Sequence, residues 1–381
     1  MKKKVLIFVG YYVPSVKGGG PIQSIKNLVD NLSDRIDFYV VAADRDLGDE
    51  KPFSGIKIDK WSEVGKAKVF YTNPATLTWR KTAKIINEVN YDVIYLNSLF
   101  SYKYSIIPIL LRNIKMIASK SIVLAPRGQF SPGAFGLKNK KKSIFIKLSK
   151  IVGLYNSIIW HATADTEKRD IETIFGNNSN IIVANNLTAN YKEVNFNKRI
   201  DKEIGELKVV FVSRIHAKKN LKKAIELLKS INGKIEFNIY GPLEDEYYWS
   251  ECKKSIESLP ENVKVVYRGI VDHDEIIKIF NSHHIFLFPT LGENFGHVIS
   301  EAFIGGCPVI ISDQTPWNKL EEKKVGWDLK LNDEESFIKA IQYCVNLDNR
   351  EYQEISKKAF EYGKNMSNNT NDISNSYKLF Y

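Results

Sequence analysis

Short apolar runs rich in β-branched residues alternate with amphipathic stretches along nearly the whole chain. This alternation predicts βαβ units and therefore parallel sheets. The first series of predicted strands is Val5–Val9, Phe38–Ala42, Val93–Leu96, Ile122–Ala125, Ile158–His161 and Ile181–Ala184. The second series is Leu207–Val212, Ile235–Tyr240, Val263–Tyr267, Ile285–Phe288 and Pro308–Ile311. Two series of strands predict two separate sheets.

The segment between the two series has the character of a linker. Asn185–Asn190 is rich in asparagine, and the charged stretch Tyr191–Glu206 that follows shows no apolar periodicity. We therefore expect an N-terminal Rossmann-like domain over residues 1–188 and a C-terminal one over residues 205–362. The final helical stretch, about residues 363–381, is expected to return to the first domain.

Length and composition agree with two globular domains. The chain has 381 residues, of which 44% are hydrophobic and 26% charged, and domains commonly contain about 100–200 residues. Three cysteines without a Cys-x-x-Cys pair predict neither a disulfide framework nor a zinc site. The apolar run near Met1 is too short for a signal peptide, and no stretch approaches the roughly 20 apolar residues that span a bilayer. We expect a cytoplasmic protein.

The positive charge lies in the first half. Residues 1–190 contain 28 Lys and Arg against 15 Asp and Glu, whereas residues 191–381 contain 27 against 29. A one-sided basic field suits an anionic partner such as a phosphorylated lipid, an anionic membrane surface or a nucleic acid. Solvated lysine-rich surfaces without such a partner fit the same numbers equally well.

The most informative segment is Phe288–Ala302. A predicted strand ends there, a turn follows at Pro289–Gly292, and a helix is expected to begin near Asn294. A helix start at the carboxyl edge of a parallel strand presents N–H groups to a ligand. Glu293 and Glu301 can then face one cleft and accept hydrogen bonds from sugar hydroxyls. Two isolated glutamates would more often be a helix cap and a surface charge.

The surrounding pattern resembles glycosyltransferase family 4, a retaining family with the GT-B fold. Glu293 and Glu301 match its Glu-x7-Glu motif, with Phe-Gly after the first Glu and Ala after the second. The resemblance covers essentially the whole chain and implies an α/β architecture of two Rossmann-like domains whose parallel sheets face across a cleft. It implies that Glu301 binds the ribose hydroxyls, that Glu293 contacts the transferred sugar, and that the backbone amides of Asn294, Phe295 and Gly296 complete the donor pocket.

A second motif, Val212–Asn220, is again a strand end that turns into a helix. It resembles the family's Gly-Arg-Leu-x-x-x-Lys-Gly element, with Ser213 and Asn220 in place of the two glycines. Arg214 can hold a phosphate through a bidentate fork and Lys219 supplies a point charge, so both can offset the charge of a departing nucleotide diphosphate. By itself the element fits a solvated basic helix start, although cations at a helix N-terminus oppose the helix dipole. That conflict indicates a bound anion.

The N-terminal half contributes two further candidates for the reaction site. The glycine-rich loop Gly10–Pro21 follows the first strand, and the resemblance places Gly19 and Gly20 beside the donor phosphates; by itself the loop is equally consistent with a flexible connection. Asn97 ends another predicted strand, where many family members have a histidine. We assign Asn97 to the catalytic site because its amide can both donate and accept hydrogen bonds.

A loop and a helix in the same half are candidates for acceptor and membrane contact. Ala125–Ala134 resembles a loop of envelope-polysaccharide glycosyltransferases, and Arg127 within it is the expected acceptor-binding residue, with a local ion pair as the alternative. The following stretch, Lys138–Val152, is a basic amphipathic helix that can touch an anionic membrane. The competing interpretation is an ordinary helix with a lysine-coated outer face.

The resemblance implies retaining sugar transfer from a nucleotide-diphosphate sugar, for which we expect a UDP-sugar in preference to a GDP-sugar. Arg268 and Ile270 are expected beside the base. We expect a glycan acceptor on a lipid diphosphate, a role in bacterial surface polysaccharide synthesis at the inner face of the plasma membrane, no nucleic-acid partner, and no cofactor or metal. The alternatives are a non-hydrolysing sugar-nucleotide epimerase and a non-catalytic nucleic-acid-binding protein.

Overall fold

The computed structural model describes residues 1–130, 139–177, 179–191, 194–196 and 199–381, without the side chains of residues 139 and 140. These residues form two compact units. The first comprises Met1–Asn190 together with Asn369–Tyr381, and the second comprises Tyr191–Asn368.

The first unit is built on an eight-stranded sheet in the order β3-β4-β2-β1-β5-β6-β7-β8. Its strands are β1 (Lys3–Phe8), β2 (Ile36–Ala43), β3 (Trp61–Val64), β4 (Ala67–Thr72), β5 (Val93–Asn97), β6 (Ser121–Ala125), β7 (Ile158–Ala162) and β8 (Ile181–Val183). Neighbouring strands are parallel except for the β3–β4 hairpin. Its helices are α1 (Gly20–Leu32), α2 (Trp79–Asn87), α3 (Ile107–Asn113), α4 (Asn139–Ile151), α5 (Asp165–Phe175) and the C-terminal α12 (Thr370–Lys378).

The second unit is built on a six-stranded parallel sheet in the order β11-β10-β9-β12-β13-β14. Its strands are β9 (Glu206–Val212), β10 (Lys234–Tyr240), β11 (Val263–Gly269), β12 (Ile285–Phe288), β13 (Val309–Ser312) and β14 (Gly326–Leu329). Its helices are α6 (Leu221–Leu227), α7 (Glu246–Glu257), α8 (Ile276–Asn281), α9 (His297–Ile304), α10 (Glu334–Asn346) and α11 (Asn349–Ser367). Two parallel-sheet α/β domains confirm the expected fold class.

The chain returns to the first unit at Asn369, later than the expected residue 363. Helix α11 continues to Ser367, and an added Cβ at Gly363 would lie 2.8 Å from the Cβ of Phe303 in α9, so this part of α11 packs closely on the second unit. After Asn369 the chain ends in Leu379 and Phe380, which are buried in the core of the first unit. The Phe380 ring lies 5.5 Å from that of Tyr95 in β5. Apolar anchoring of the last residues therefore holds α12 in place.

Candidate functional site

The strand order of the second unit brings two connecting turns together. Strand β9 lies between β10 and β12: the strands that follow β9 are first added on one side of it, and from β12 onwards on the other side. Open parallel sheets bind ligands at the carboxyl ends of the strands, at the point where the strand order reverses in this way. The turn after β9 and the turn after β12 are hydrogen-bonded. Leu291 N donates to the carbonyl of Lys218 at 2.9 Å, and Asn220 Nδ2 donates to the carbonyl of Pro289 at 2.8 Å. The two sequence motifs thus form one structural element.

Asn220 performs the backbone role expected of a glycine. It has φ 59° and ψ 38°, a left-handed conformation that closes the 3₁₀ turn Ala217–Lys219 and begins α6. Asparagine adopts this conformation more readily than most residues, and here its side chain also joins the two turns. Ser213 is not in the left-handed region. The loss of both glycines therefore leaves the turn intact.

Lys219 and Glu293 form an ion pair at the junction of the two turns. Lys219 Nζ lies 2.6 Å from Glu293 Oε1, with side-chain exposures of only 16% and 12%. Thr290 Oγ1 donates to the same carboxylate oxygen at 3.1 Å, and Glu293 N donates to the carbonyl of Gln314 at 2.9 Å. Two of the predicted site residues are thus in direct contact and fixed by backbone and hydroxyl groups.

Arg214 makes a more exposed ion pair. Its Nη1 lies 2.7 Å from Glu244 Oε2, and both side chains are about one third exposed. Pairs of this exposure contribute about 0–1 kcal/mol. A phosphate group can therefore replace Glu244 as the partner of Arg214 at little cost.

Glu301 is a buried carboxylate on α9. Its side chain is 7% exposed, and Oε1 lies 3.0 Å from Nε2 of His273. Burial, followed by the negative charge of Glu301, raises the pKa of Tyr191. A buried carboxylate has a strong need for hydrogen-bond donors. The Glu301 carboxylate can therefore accept hydrogen bonds from the hydroxyl groups of a ligand.

Helix α9 begins later than the sequence predicts. Gly296 is its N-cap in a left-handed conformation with φ 78°, and the first helical residue is His297 rather than one near Asn294. Glu301 therefore lies just over one turn into the helix. The Phe295 carbonyl accepts a hydrogen bond from Trp317 Nε1 at 2.5 Å, which fixes the turn. The N–H groups at this helix start can bind an anion.

The two residues expected beside the base differ in their surroundings. Ile270 is 54% exposed and follows Gly269, whose carbonyl accepts a hydrogen bond from Gly241 N at 2.8 Å. Arg268 instead donates from Nε to Asn238 Oδ1 at 2.8 Å, on the neighbouring strand. The structure therefore places Ile270 in a connecting turn and directs Arg268 towards the strand β10.

In the first unit, a buried aspartate fixes the glycine-rich loop. Asp46 accepts hydrogen bonds from Ser15 Oγ at 2.5 Å and from Val16 N at 2.9 Å, and further ones from the N–H groups of Lys17 and Leu47. Burial alone would raise the pKa of Asp46, but these hydrogen bonds lower it. The sequence analysis gave Asp46 no role. Both carboxylate oxygens of Asp46 accept hydrogen bonds from this loop.

The predicted residues Gly19 and Gly20 form the start of α1. Gly19 is the N-cap with φ 73°, and Gly20 is the first residue of the helix, where an added Cβ would meet no atom within 4 Å. The backbone at Gly20 is therefore open to close approach by a ligand.

Arg127 and Asn97 lie together in the first unit, in contact with each other. Asn97 Oδ1 accepts hydrogen bonds from Nε and Nη2 of Arg127 at 3.0 and 2.8 Å. Nη2 also donates to the Tyr95 hydroxyl at 2.9 Å, and Nη1 donates to Asn186 Oδ1. Asn97 is buried, and its Nδ2 has no hydrogen-bond partner in the described part of the chain. Arg127, expected to bind the acceptor, holds Asn97 in place.

The Arg127 hydrogen bonds continue to a buried histidine. Nε2 of His161 lies 2.8 Å from the carbonyl of Ala184, which can only accept, so Nε2 carries the proton. Nδ1 then accepts from the Tyr95 hydroxyl at 2.7 Å. Burial, reinforced by the charge of Arg127, lowers the pKa of His161 to about 3 and keeps it neutral. The buried, neutral His161 thus has a structural place in this network.

Two features are absent from the described residues. These residues contain no group of three or more His, Cys, Asp or Glu arranged to hold a metal ion. They also include no helix with the length and apolar character needed to cross a membrane.

Comparisons with known proteins agree with the fold. Residues 194–364 match the family model of Glycosyl transferases group 1. The crystal structure of Anabaena HepE in complex with UDP and glucose covers 99% of this chain and 98% of that one, with 15% identity and a TM-score of 0.66. The fold is GT-B. At such low identity the structural likeness establishes the fold alone.

Two curated relatives extend the comparison. The sulfoquinovosyl transferase SQD2 of Arabidopsis thaliana is 29% identical over 157 residues, which are 40% of this chain and only 28% of that protein. An uncharacterized 41.2 kDa protein in the cps region of Klebsiella pneumoniae is 25% identical over 312 residues, or 77% of this chain and 78% of that protein. The group 1 match favours neither the epimerase nor the nucleic-acid-binding alternative.

Sequence reasoning missed one residue of the group 1 segment. His273 lies at the carboxyl edge of the second sheet, in the turn after β11, and contacts Glu301. From the sequence, Ile270 of this turn was expected beside the base, but His273 was given no role. The available signal was its position, because β11 ends on the same edge as β9 and β12. A polar residue in the turn that follows a strand at that edge is a site candidate.

Gly241 provides a test of how closely the turns pack. A Cβ on Gly241 would lie 1.8 Å from the carbonyl oxygen of Ser213, whereas one on Gly269 would meet nothing within 4 Å; both residues have positive φ. We expect Gly269→Ala to lower the free energy of unfolding by about 1 kcal/mol through backbone strain. Gly241→Ala should lower the free energy of unfolding by about 2 kcal/mol more, because the backbone at Ser213 must move to admit the new methyl group. Urea denaturation measures both; equal losses would show that the turns are not closely packed.

Proposed function

We propose that the protein is a retaining glycosyltransferase that uses a nucleotide-diphosphate sugar, with a UDP-sugar preferred. The observation that carries the proposal is the Lys219–Glu293 ion pair at the reversal point of the second sheet, inside the segment that matches group 1 glycosyl transferases. The complex of Anabaena HepE with UDP and glucose supports the choice of donor.

The two cations of the β9 turn have the chemistry that departure of a nucleoside diphosphate requires. The leaving diphosphate gains negative charge as the glycosidic bond breaks. Lys219 can stabilise that charge as a point cation, and Arg214 can bind it through its guanidinium fork. These cations supply the charge stabilisation that a metal ion supplies in other glycosyltransferases, and we propose that no metal is required.

The two glutamates have separate roles in this proposal. Glu293 is held by Lys219 and Thr290, so its carboxylate can orient the hydroxyl groups of the transferred sugar. Glu301 is buried beside His273 and accepts hydrogen bonds from the ribose hydroxyls. The backbone N–H groups of Asn294, Phe295 and Gly296 lie at the start of α9, where they can bind the donor. The acceptor hydroxyl attacks from the face that the diphosphate leaves, which retains the configuration.

For the acceptor, we propose a glycan on a lipid diphosphate, used in bacterial surface polysaccharide synthesis at the inner face of the plasma membrane. Two observations support this: the basic excess of residues 1–190 and the relative from the cps region of Klebsiella pneumoniae. Arg127 takes part by holding Asn97, and Asn97 is the group of the first unit that we assign to the reaction.

A thermal-shift screen with UDP-, GDP- and ADP-sugars tests the central claim. At a concentration about 100 times Kd, a UDP-sugar should stabilise the folded protein by about 2.7 kcal/mol, a rise in Tm of about 5–10 °C. Glu301→Ala should weaken nucleotide binding about 10–100-fold, because hydrogen bonds to a charged group are lost. The exposed Glu257→Ala variant is the matched control and should bind as the wild type does. If no nucleotide stabilises the wild type, the proposal fails.

A further inference from the structure

Helix α4 buries one side and exposes another apolar side. Ile146 is 6% exposed and belongs to the core of the first unit. Phe145 also packs against that core, and its ring centroid lies 5.8 Å from that of Phe100. The inward side of the helix is therefore satisfied by contacts within its own unit.

The opposite side carries an exposed apolar row. Ile144, Leu148 and Ile151 are 57%, 56% and 81% exposed, and Val152 directly after the helix is 72% exposed. Residues spaced by three and four positions lie on one face of a helix. An ordinary outward face would be coated by lysines, as one interpretation of the sequence expected. The structure instead shows large aliphatic side chains in water.

Lysines lie along both edges of this apolar row. At about 100° per residue, Lys141 and Lys147 project about 60° to either side of Ile144, and both are exposed. Long lysine side chains at such edges can extend their ammonium groups away from an apolar surface. The arrangement is that of a helix lying in a membrane interface, with apolar residues towards the acyl chains and cations at the headgroups.

The stretch of sequence that contains the row lacks acidic residues. No aspartate or glutamate occurs in the sequence between Asp92 and Asp165, a stretch that includes α3, β6 and α4. The last residue of α3 is joined to the turn after α4 by a hydrogen bond from Asn113 Nδ2 to the carbonyl of Leu154 at 3.4 Å. The turn after α3 exposes Ile114 and Met116 at 54% and 46%. Exposed apolar side chains are thus also found next to the helix, in a stretch of sequence without acidic residues.

We propose that this docking surface, defined as Ile144, Leu148, Ile151, Lys141 and Lys147, binds an anionic lipid bilayer. A bilayer with anionic headgroups satisfies both the apolar row and the positive charge of the flanking lysines. A second copy of the chain fits less well, because a symmetric contact would set the same lysines against each other without carboxylates between them. The surface deepens the proposed lipid-linked acceptor by placing the first unit against the membrane that carries it.

Vesicle flotation tests the proposal with the full chain. Vesicles of equal parts phosphatidylglycerol and phosphatidylcholine should bind the wild type, and pure phosphatidylcholine vesicles should not. Ile144→Ser/Leu148→Ser/Ile151→Ser should weaken partitioning at least about tenfold, since each buried methylene favours insertion. Lys141→Gln/Lys147→Gln should weaken it about fivefold per lysine. The control Ile58→Ser/Ile204→Ser removes exposed aliphatic side chains elsewhere, at 40% and 69% exposure, and should bind as the wild type does.

The outcomes distinguish this surface from its competitors and from the proposed function. Unchanged Tm in the triple variant shows that folding is intact, and an unchanged Tm rise with UDP-sugar shows that donor binding is independent of lipid. Absence of binding to anionic vesicles overturns the docking surface while leaving sugar transfer untouched. Equal flotation of the triple variant and the wild type also overturns it. The proposal is also overturned if the wild type is a dimer in ultracentrifugation, the triple variant is a monomer, and both float equally with the vesicles.

Discussion

Lys219→Ala is expected to lower kcat for sugar transfer by about 10²–10³-fold, the loss found when a preorganised group that stabilises transition-state charge is removed. Lys219 is the cation that the structure fixes most firmly at the site, with Nζ 2.6 Å from Glu293 Oε1 and little solvent exposure. Its removal takes away the charge that, in the proposed function, stabilises the leaving diphosphate. It also leaves Glu293 without its cation.

Steady-state kinetics with a UDP-sugar measures this effect, and Lys223→Ala is the matched control. Lys223 forms an ion pair with Glu334 in the same unit, where Glu334 is 54% exposed, so its loss should change kcat little. The double variant Lys219→Ala/Glu293→Gln should be about as slow as Lys219→Ala, since residues that act as a unit are not additive. A raised KM with unchanged kcat would mean that Lys219 binds the donor equally in the ground state and the transition state.

The same pair explains an electrostatic conflict in the sequence. Lysines crowd the start of α6, where the helix dipole disfavours positive charge, and this indicated a bound anion. The structure shows that Glu293 of the chain itself is an anion beside Lys219. A carboxylate and a diphosphate both satisfy a lysine ammonium group. Lys219 can therefore remain in position before the donor arrives, with Glu293 as its partner.

Most of the parallel strands were predictable, because they appear as continuous apolar runs. The hairpin β3–β4 and strand β14 were not predicted. Trp61–Val64 at the sheet edge is only partly buried, so its residues do not form an apolar run. Gly326–Leu329 is likewise an edge strand with a mixed sequence, and its place is set by pairing with β13. Pairing with a neighbour is a tertiary effect that local patterns do not record.

Within the site, motifs identified the residues, and the structure supplied their partners. Glu293, Lys219 and Arg214 were found from their spacing and from the family resemblance, but their pairing with one another and with Glu244 depends on the strand order. His273 was missed because its contact with Glu301 joins a turn to a helix that is distant in sequence. Arg127 was found, but its function was assigned from a loop resemblance. Its left-handed backbone, with φ 59°, turns the side chain towards Asn97.

Arg127→Ala is expected to lower the free energy of unfolding by about 3–4 kcal/mol, because it leaves several buried acceptors without their charged donor. Asn97, Asn186 and Tyr95 all lose a hydrogen bond, and each is at least nine-tenths buried. Differential scanning calorimetry measures the loss. Arg35→Ala is the control, since Arg35 is exposed and its guanidinium lies over the Tyr377 ring.

Arg127→Lys separates a positioning role from direct binding of an acceptor phosphate. Lysine keeps the positive charge but lacks the planar fork that reaches Asn97 and Tyr95 together. If Arg127 positions Asn97, the lysine variant should lose kcat nearly as strongly as Arg127→Ala, with little change in KM for the acceptor. If Arg127 instead binds an acceptor phosphate by its charge, Arg127→Ala should raise the KM for the acceptor, and Arg127→Lys should reverse much of that rise. The hydrogen bonds of the guanidinium to three buried groups favour the first result, since a side chain engaged in this way is fixed before any acceptor binds.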